Sequence, residues 1–324
     1  MFLLLTVTAV IIVSVGASFW AFTHVMGAET YVRYAGLQKI ISEKTAKTIL
    51  GIETNAKHVF DEVGRNLDSP EAVIATLDRK TSLGPEVRGY FAAFVPEYFP
   101  EKGRWFEPYV HHVDSSEFVL DMVGSARHDY TMSDWYIRGK DAKEGFWCDP
   151  YEYIDGTSMN GLYSSYIEPI FDGNGKQACV CGADITFEWL TKELQKIDEL
   201  FRNDESLNRF RLMRDLDFFS MVIDKDGSCI AYPDGKKLTI KDEGMLKDMQ
   251  QKKSGTLDMT VGGIASTLYY GPIDGMNWSL AVVTPKDDVQ KPTLTMGLVL
   301  LVIAVLGIII TWIICRRISY AKEN

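Results

Sequence analysis

Two long runs of apolar residues, one near each end of the chain, dominate its pattern of hydrophobic and polar positions. Residues 2–22 include no Asp, Glu, Lys or Arg, and neither do residues 294–314. About 20 such residues in a helix match the ~30 Å hydrocarbon core of a bilayer. Both runs are therefore predicted to be membrane helices. The first could instead be a cleaved signal peptide, but it lacks a positive n-region and exceeds a typical h-region, which favours a retained helix.

Charges beside the second run indicate how the chain crosses the membrane. Arg316, Arg317 and Lys322 follow that run, and positive residues near membrane ends prefer the cytoplasm. The C-terminus is therefore predicted to be cytoplasmic, and residues 23–293 to be extracellular or periplasmic.

Between these runs, apolar residues first recur at helical spacing. No proline occurs from Glu29 to about Gly64, and a predicted helix of about 50 Å would continue from the first membrane segment. Its apolar stripe comprises Val32, Leu37, Ile40, Ile41, Ile49, Ile52, Ala56, Val59, Phe60 and Val63. A second helix is predicted to begin at Ser69-Pro70-Glu71, with a capping serine and a proline in its first turn.

Farther along, aromatic and β-branched runs alternate with Gly, Pro and Asp turns, which predicts two groups of strands. The first group covers residues 90–95, 109–113, 118–122, 145–148, 161–170 and 176–185, with a short helix at 134–144. The second covers 218–223, 228–232, 255–261, 263–270 and 277–283, with a helix at 241–252. An amphipathic helix at 189–200 is predicted to connect the groups, and Asp172-Gly173-Asn174-Gly175 is a hairpin turn signal.

A short internal repeat indicates that the two groups are related modules. Tyr166-Ile167-Glu168-Pro169-Ile170 resembles Tyr269-Tyr270-Gly271-Pro272-Ile273, and each lies within a β-rich run followed by a glycine-containing turn and a final strand. Repetition at a domain-sized interval is typical of duplication.

Composition and charge exclude two classes of protein. The chain has 324 residues, 46% hydrophobic residues and a net charge of -10, so it is neither disordered nor suited to wholesale nucleic-acid binding. No catalytic or phosphate-binding motif occurs in the sequence, and we expect no enzymatic activity, cofactor or metal site.

Cys179 and Cys181 share a face of one predicted strand, and Cys148 could pair with one of them or all three could remain free thiols.

Several motifs together resemble the double-Cache (dCache) family of extracellular sensor domains in bacterial transmembrane receptors, over roughly residues 29–290. In the first module they are Asp134-Trp135-Tyr136, Trp147-Cys148-Asp149-Pro150-Tyr151, Tyr163-Ser164-Ser165-Tyr166-Ile167-Glu168-Pro169-Ile170 and Gly182-Ala183-Asp184-Ile185. In the second they are Val222-Ile223-Asp224-Lys225-Asp226-Gly227, Tyr232-Pro233-Asp234 and Trp278-Ser279-Leu280. The stretches Phe94-Val95-Pro96-Glu97-Tyr98-Phe99-Pro100 and Phe106-Glu107-Pro108-Tyr109 look most like sensors fused to sporulation-type serine phosphatases.

The resemblance implies an α/β (α+β) fold, with a long N-terminal helix and two tandem PAS-like Cache modules between two transmembrane helices. We divide the chain accordingly into a transmembrane helix (1–28), a stalk helix (29–66), a membrane-distal ligand-binding module (67–200), a membrane-proximal module (201–290), a second transmembrane helix (291–315) and the start of a cytoplasmic segment (316–324). The implied function is a sensory receptor, expected to be a homodimer in the bacterial cytoplasmic membrane. Its small ligand would control a cytoplasmic serine phosphatase, histidine kinase or chemoreceptor output.

Candidate ligand contacts also follow from the resemblance. They are Trp135, Tyr136, Asp149, Tyr151, Tyr153, Ser133, Tyr130, Ser165 and Asp184. In relatives that bind amino acids, an arginine at the position of Ser133 holds the ligand carboxylate, and an acid at the position of Tyr153 helps hold its ammonium group. Asp184 matches an ammonium-binding position. Because the arginine clamp is missing, a standard amino acid is not expected as the ligand. A cationic or amine ligand remains open, since one carboxylate among aromatic rings suits an amine.

Structural roles remain open for several of these residues. Trp135 and Tyr136 could be core aromatics, Asp149 a turn residue, and Asp184 the partner of a buried structural group. The alternative functions are a membrane-anchored extracellular enzyme and an adhesion or structural module. A cavity between Trp135 and Asp184 would favour the sensor, and a filled distal module would favour a structural role.

Overall fold

A computed structural model describes residues 2–79, 86–113, 118–153, 160–203, 217–233 and 238–323 of the chain. The helices found there are α1 (Phe2–Arg65), α2 (Pro70–Asp78), α3 (Asp134–Asp141), α4 (Phe187–Arg202), α5 (Glu243–Gln250) and α6 (Lys286–Glu323). The strands of the first sheet are β1 (Gly89–Phe94), β2 (Pro108–His112), β3 (Phe118–Met122), β4 (Phe146–Trp147), β5 (Tyr151–Tyr153), β6 (Gly161–Phe171) and β7 (Gln177–Thr186). Those of the second sheet are β8 (Phe219–Ile223), β9 (Cys229–Ala231), β10 (Gly255–Val261), β11 (Ile264–Pro272) and β12 (Ser279–Pro285).

Helix α1 runs without a break for 64 residues, from the first apolar segment into the part of the chain between the two apolar segments. Most of the predicted stripe is buried, including Ile41, Ile52 and Phe60. The predictions for Val32 and Ile40 are wrong, because these side chains are 69% and 49% exposed. Successive helical residues are about 100° apart, so a stripe centred on Ile41 leaves Ile40 outside it.

The first sheet is antiparallel, in the order β3-β2-β1-β7-β6-β4, with β5 also paired to β6. Both of its faces are covered, which explains why every residue of β1 is buried. Tyr90 and Phe94 belong to the core shared with α1, whereas Phe91 and Ala93 belong to the cluster beside α3. Alternate residues of one strand thus serve two different layers.

The second sheet repeats the central topology of the first. Its order β10-β11-β12-β8-β9 places β11, β12, β8 and β9 where the first sheet has β6, β7, β1 and β2. The two halves of the internal repeat therefore lie on equivalent strands. Tyr166 of β6 stacks on Phe60 of α1, with ring centroids 6.4 Å apart, and Tyr269 of β11 stacks on Tyr34 of α1 at 5.3 Å. This correspondence supports duplication.

Polar contacts hold α1 and α4 against the second sheet. The Gln38 amide donates to the carbonyl of Leu280, and the Ser42 hydroxyl donates to the carbonyl of Pro272. In α4, the carboxylate of Asp198 accepts from the backbone N–H and the hydroxyl of Ser220, at 2.6 and 2.7 Å. Burial raises the pKa of Asp198 to about 6, against these hydrogen bonds, which lower it.

Aromatic rings complete the junction between the sheets. The ring of Trp278, just before β12, lies 5.3 Å from that of Phe187 in α4 and 6.4 Å from that of Trp147 in β4. One apolar cluster consequently includes residues from α1, α4 and both sheets.

The two apolar end segments lie side by side in α1 and α6. Residues 5–65 and 293–318 each contain a stretch long and apolar enough to cross a membrane. A Cβ at Gly297 would approach the Phe19 ring to 2.9 Å, which indicates close contact between the helices. This arrangement fits a two-pass membrane protein with the two sheets between its spans.

The predicted strands are all present, with ends shifted by at most two residues. The local sequence pattern does not predict β5, because a three-residue strand depends on its pairing with β6. The hairpin turn at 172–175 and the Ser69 cap are confirmed: the N–H of Gly175 donates to the Asp172 carbonyl, and the Ser69 hydroxyl accepts from the N–H of Ala72. Asp234 lies outside the described residues.

The described cysteines are all free thiols. Cys179 and Cys181 do share a face, with sulfur atoms 3.8 Å apart in the core beside α1. Cys148 belongs to the cluster on the opposite face of the sheet, so the sheet separates it from both.

Phe60 offers a direct test of how strongly α1 is held by the first sheet. Its side chain is fully buried and packs against Tyr90 and Tyr166. We expect Phe60→Ala to lower the free energy of unfolding by about 3–5 kcal/mol, measured by urea denaturation of residues 29–290. The control Leu50→Ala alters a side chain of the same helix that is 59% exposed, and should change stability by less than about 0.5 kcal/mol. Equal effects would contradict the packing of α1 described here.

Candidate functional site

Asp184 is a buried carboxylate at the centre of the first sheet. It lies on β7, directly opposite Ser165 of β6, whose hydroxyl donates to Asp184 Oδ1 at 2.5 Å. The phenol hydroxyls of Tyr109 and Tyr151 also lower the pKa of the carboxylate. Burial nevertheless raises the pKa of Asp184 to about 6, because desolvation of the charged form outweighs these hydrogen bonds.

A small cavity of about 50 Å³ lies against this carboxylate, and we call it the inner cavity. It is lined by Phe91, Glu107, Tyr109, Val123, His128, Trp135, Tyr151, Tyr153, Tyr163 and Asp184. Next to it is a larger space of about 940 Å³, the outer cleft. The two share Val123, His128, Trp135, Tyr151 and Tyr153 as lining residues, so a molecule in the outer cleft could extend one end towards Asp184.

Aromatic rings form most of the inner wall. The ring of Trp135, in the first turn of α3, lies 4.8 Å from that of Phe91 on β1. Phe91 can lie flat over β7 because residue 182 is glycine, and a Cβ there would overlap its ring. The ring of Tyr153 lies 5.4 Å from that of His128. Electron-rich ring faces around a carboxylate attract a cationic group.

A second carboxyl group, that of Glu107, reaches the same cavity. Glu107 immediately precedes β2, and its carbonyl accepts from the N–H of Val123. Its side chain is buried, and burial raises the pKa of its carboxyl well above its usual range, with the nearby charge of Asp184 adding to the effect. The inner cavity therefore combines two acids with only His128 as a basic neighbour among its described lining residues.

The structure brings most of the predicted site residues together. Trp135, Tyr151 and Tyr153 line both spaces, Ser133 and Asp149 line the outer cleft, and Asp184 lines the inner cavity. Ser165 lies behind the wall of the cavity. Its hydroxyl donates to the carboxylate of Asp184 and is 2.8 Å from the hydroxyl of Tyr151.

Tyr130 and Tyr136 occupy a different place from the other predicted contacts. Both are buried in the layer between α3 and the sheet, and neither is among the described residues that line the two spaces. The Tyr130 hydroxyl donates to the carbonyl of Phe94 at 2.7 Å, and the rings of the two tyrosines meet edge to face at 5.2 Å. They support the wall of the cavity from behind.

Glu107 and Tyr109 are the main lining residues that the sequence analysis missed. They flank Pro108 in a motif noted only for its resemblance to phosphatase-linked sensors. A glutamate beside a proline is typical of a turn. No local pattern predicts that Glu107 lies near Asp184, which is 77 positions away. The only available signal was the alternation of β2, which puts Tyr109 and His111 on one face.

The chemistry of these residues suits an organic cation better than a metal ion. In the described ranges, no group of three or more His, Cys, Asp or Glu side chains could hold a metal ion. Two carboxyl groups, several phenol hydroxyls and an aromatic wall can instead hold an organic ammonium group by charge, hydrogen bonds and cation–π attraction.

Comparison with known proteins associates this fold with sensors. Residues 73–192 match the family model described as "Methyl-accepting chemotaxis protein-like, first PDC sensor domain", a segment that includes all the residues lining both spaces. No protein of curated function has a sequence that matches this chain.

Several solved structures share the fold at low sequence identity. The extracellular domain of mmHK1S-Z3 is 16% identical with a TM-score of 0.64, over 81% of this chain and 96% of that one. The periplasmic sensory domain of the chemoreceptor Tlp1 from Campylobacter jejuni is 14% identical with a TM-score of 0.60, over 82% and 99%. The ligand-binding domain of the chemoreceptor CtaA from Pseudomonas fluorescens, in complex with L-isoleucine, is 15% identical with a TM-score of 0.56, over 83% and 97%. This chain therefore has the fold of Cache-type sensor domains.

The raised pKa of Asp184 predicts a pH-dependent contribution to stability. Because the folded state binds this proton more tightly than the unfolded chain does, the Asp184 contribution should become more favourable as pH falls through about 6. Asp184→Asn should therefore stabilise residues 29–290 at pH 7, by up to about 3 kcal/mol, with the gain disappearing towards pH 4. Urea denaturation between pH 4 and 8 measures this difference.

The pH profile of the difference between Asp184→Asn and wild type is the decisive readout, since other buried acids also titrate. Asp61→Asn, at an exposed position on α1, is the control and should leave the profile unchanged. A gain from Asp184→Asn that is constant from pH 4 to 8 would mean that burial does not raise this pKa.

Proposed function

We propose that the chain is a two-pass sensory receptor of a bacterial cytoplasmic membrane, and that its extracellular or periplasmic double-Cache domain binds a small ligand. The observation that carries the proposal is the inner cavity beside Asp184, which opens towards the outer cleft. Buried carboxyl groups are costly unless paired, and their place at the end of a cleft supports a binding role. An adhesion or structural module would have no need of such a cavity.

An amine-containing ligand agrees best with the charges of the inner cavity, whereas Arg127 and Arg138 line the outer cleft. The position expected to clamp a carboxylate in amino-acid sensors is Ser133, which lines the outer cleft without a positive charge. The inner cavity offers Asp184 and Glu107 together with the rings of Trp135 and Tyr153. An ammonium group would enter the inner cavity, and the remainder of the ligand would occupy the outer cleft.

The division of the chain into modules is part of the same proposal. Residues 67–200 would form the ligand-binding membrane-distal module, and residues 201–290 the membrane-proximal module. Residues 1–28 and 291–315 would span the membrane, with 29–66 as the stalk and 316–324 starting the cytoplasmic segment. The continuity of α1 and the contact of α6 with the second sheet support a mechanical connection between ligand and membrane.

A homodimer that controls a cytoplasmic effector completes the proposal. The effector would be a serine phosphatase of the sporulation type, a histidine kinase or a chemoreceptor output domain. Ligand binding would shift the relation of the two membrane helices only by as much as the ligand prefers one of the two receptor states.

Calorimetric titration tests the ligand site directly. Residues 29–290 would be titrated with a panel of amines, amino acids and carboxylates at pH 7.5, where Asp184 is ionised. We expect an amine to bind, and Asp184→Ala to weaken its binding at least about tenfold, because a charge-assisted hydrogen bond is lost. Affinity should also decrease as pH falls below about 6, where Asp184 becomes protonated.

Asp61→Ala, on the exposed side of α1, is the matched control and should bind as wild type does. Equal affinity of wild type and Asp184→Ala for the ligand that is found would show that the site lies elsewhere. Binding of carboxylates alone would contradict the amine specificity.

A further inference from the structure

The hydrogen bonding of Glu107 is incomplete. The residue is 4% exposed, and its Oε2 atom is buried with no hydrogen-bond donor in the described part of the chain. Nε2 of His128 lies 3.6 Å from this atom, which is beyond hydrogen-bonding distance. A buried polar atom without a partner is costly, and most native structures avoid it.

Asp184, which lines the same cavity, differs from Glu107 in its hydrogen bonding. Its carboxylate already accepts a hydrogen bond from the hydroxyl of Ser165, and the phenols of Tyr109 and Tyr151 lower its pKa. Of the two acids, Glu107 is therefore the one with a buried oxygen that has no hydrogen-bond donor in the described part of the chain. A ligand that brings an N–H group into the cavity would supply the missing donor.

We propose that Glu107 accepts a hydrogen bond from a primary ammonium group of the ligand, and that it makes the inner cavity selective for this group over a fully methylated ammonium. The inference rests on the proposed amine-binding function and names the chemical class of its ligand. It also assigns to Glu107 a role in specificity.

Two features of the cavity support this selectivity. Aromatic walls alone would attract quaternary ammonium groups through cation–π contacts. A trimethylated nitrogen has no N–H, however, and would leave Glu107 Oε2 buried and unpaired. The volume of about 50 Å³ is also small for three additional methyl groups.

The geometry of a primary ammonium group fits the acceptors that line the inner cavity. Its three N–H donors can be shared between Asp184, Glu107 and a phenol oxygen such as that of Tyr109, all of which line the cavity. An unprotonated oxygen of Glu107 is an acceptor whether the group is a carboxylate or a carboxylic acid. The proposal therefore does not depend on the ionisation of Glu107.

The test uses the full chain in lipid nanodiscs and compares amines with their methylated counterparts. The probes are n-butylamine, 2-phenylethylamine and 1,4-diaminobutane, each paired with the analogue in which one amino group carries three methyl groups. The proteins are wild type, Glu107→Met, Glu107→Gln and the control Glu188→Met, at an exposed position on α4. Affinities are measured by calorimetry at pH 7.5, and folding by thermal unfolding.

We expect wild type to prefer at least one primary amine over its trimethylated analogue by about tenfold or more. Glu107→Met, which is similar in length but has no strong acceptor, should lose most of that preference by binding the primary amine about 10- to 100-fold more weakly. Glu107→Gln keeps a carbonyl acceptor and should retain part of the preference. Glu188→Met should behave as wild type.

Several results would overturn the proposal, and they separate it from the proposed function. If wild type binds the trimethylated analogue as tightly as the primary amine, the selectivity is wrong whether or not any variant folds. If Glu107→Met folds and keeps the full preference, or loses stability without a change in preference, Glu107 has a purely structural role with His128. In both cases amine binding itself stands. If wild type binds no primary amine, both the inference and the amine-binding function are wrong.

Discussion

The burial of one helical stripe on α1 is the constraint on which the rest of the structure depends. A helix of 64 residues is ~96 Å long, so it can extend from a membrane segment past both sheets. Leu37 and Ile41 belong to the same buried cluster as Phe60, although Leu37 lies about 6.4 turns from Phe60 on the helix. Both sheets use this stripe as part of their core. The order of apolar end segment, second sheet and first sheet along α1 follows from that shared packing.

The position of the candidate site is a consequence of the same packing. Helices α1 and α2 cover one face of the first sheet, and α3 covers only part of the other. Cavities therefore form on the α3 side, where Phe91 and Trp135 make the wall. Two acids placed in such a cavity reduce stability, because ionisation of a buried carboxyl is opposed by desolvation. Functional sites commonly accept a cost of this kind.

Strand β6 contacts the site and α1 at neighbouring residues. Ser165 donates to Asp184 on the cavity side, while the next side chain, Tyr166, stacks on Phe60 of α1. A strand presents successive side chains to opposite faces, so these contacts are separated only by the thickness of the sheet. Packed interiors transmit small displacements because they contain little free volume. One physical route from the cavity to α1 therefore passes through β6.

The sequence by itself determined the elements that depend on local patterns. The two apolar end segments, the strands, the Ser69 cap and the hairpin at 172–175 follow from periodicity and turn chemistry, which act within a few residues. Only the tertiary structure decided that Ile40 lies on the exposed side of α1. It also decided that Tyr130 supports the wall of the inner cavity from behind, whereas Tyr153 lines the cavity. It also brought Glu107 to Asp184 and formed the short strand β5. These outcomes depend on pairing and packing between distant parts of the chain, and no local pattern encodes the distance between two side chains that are far apart in sequence.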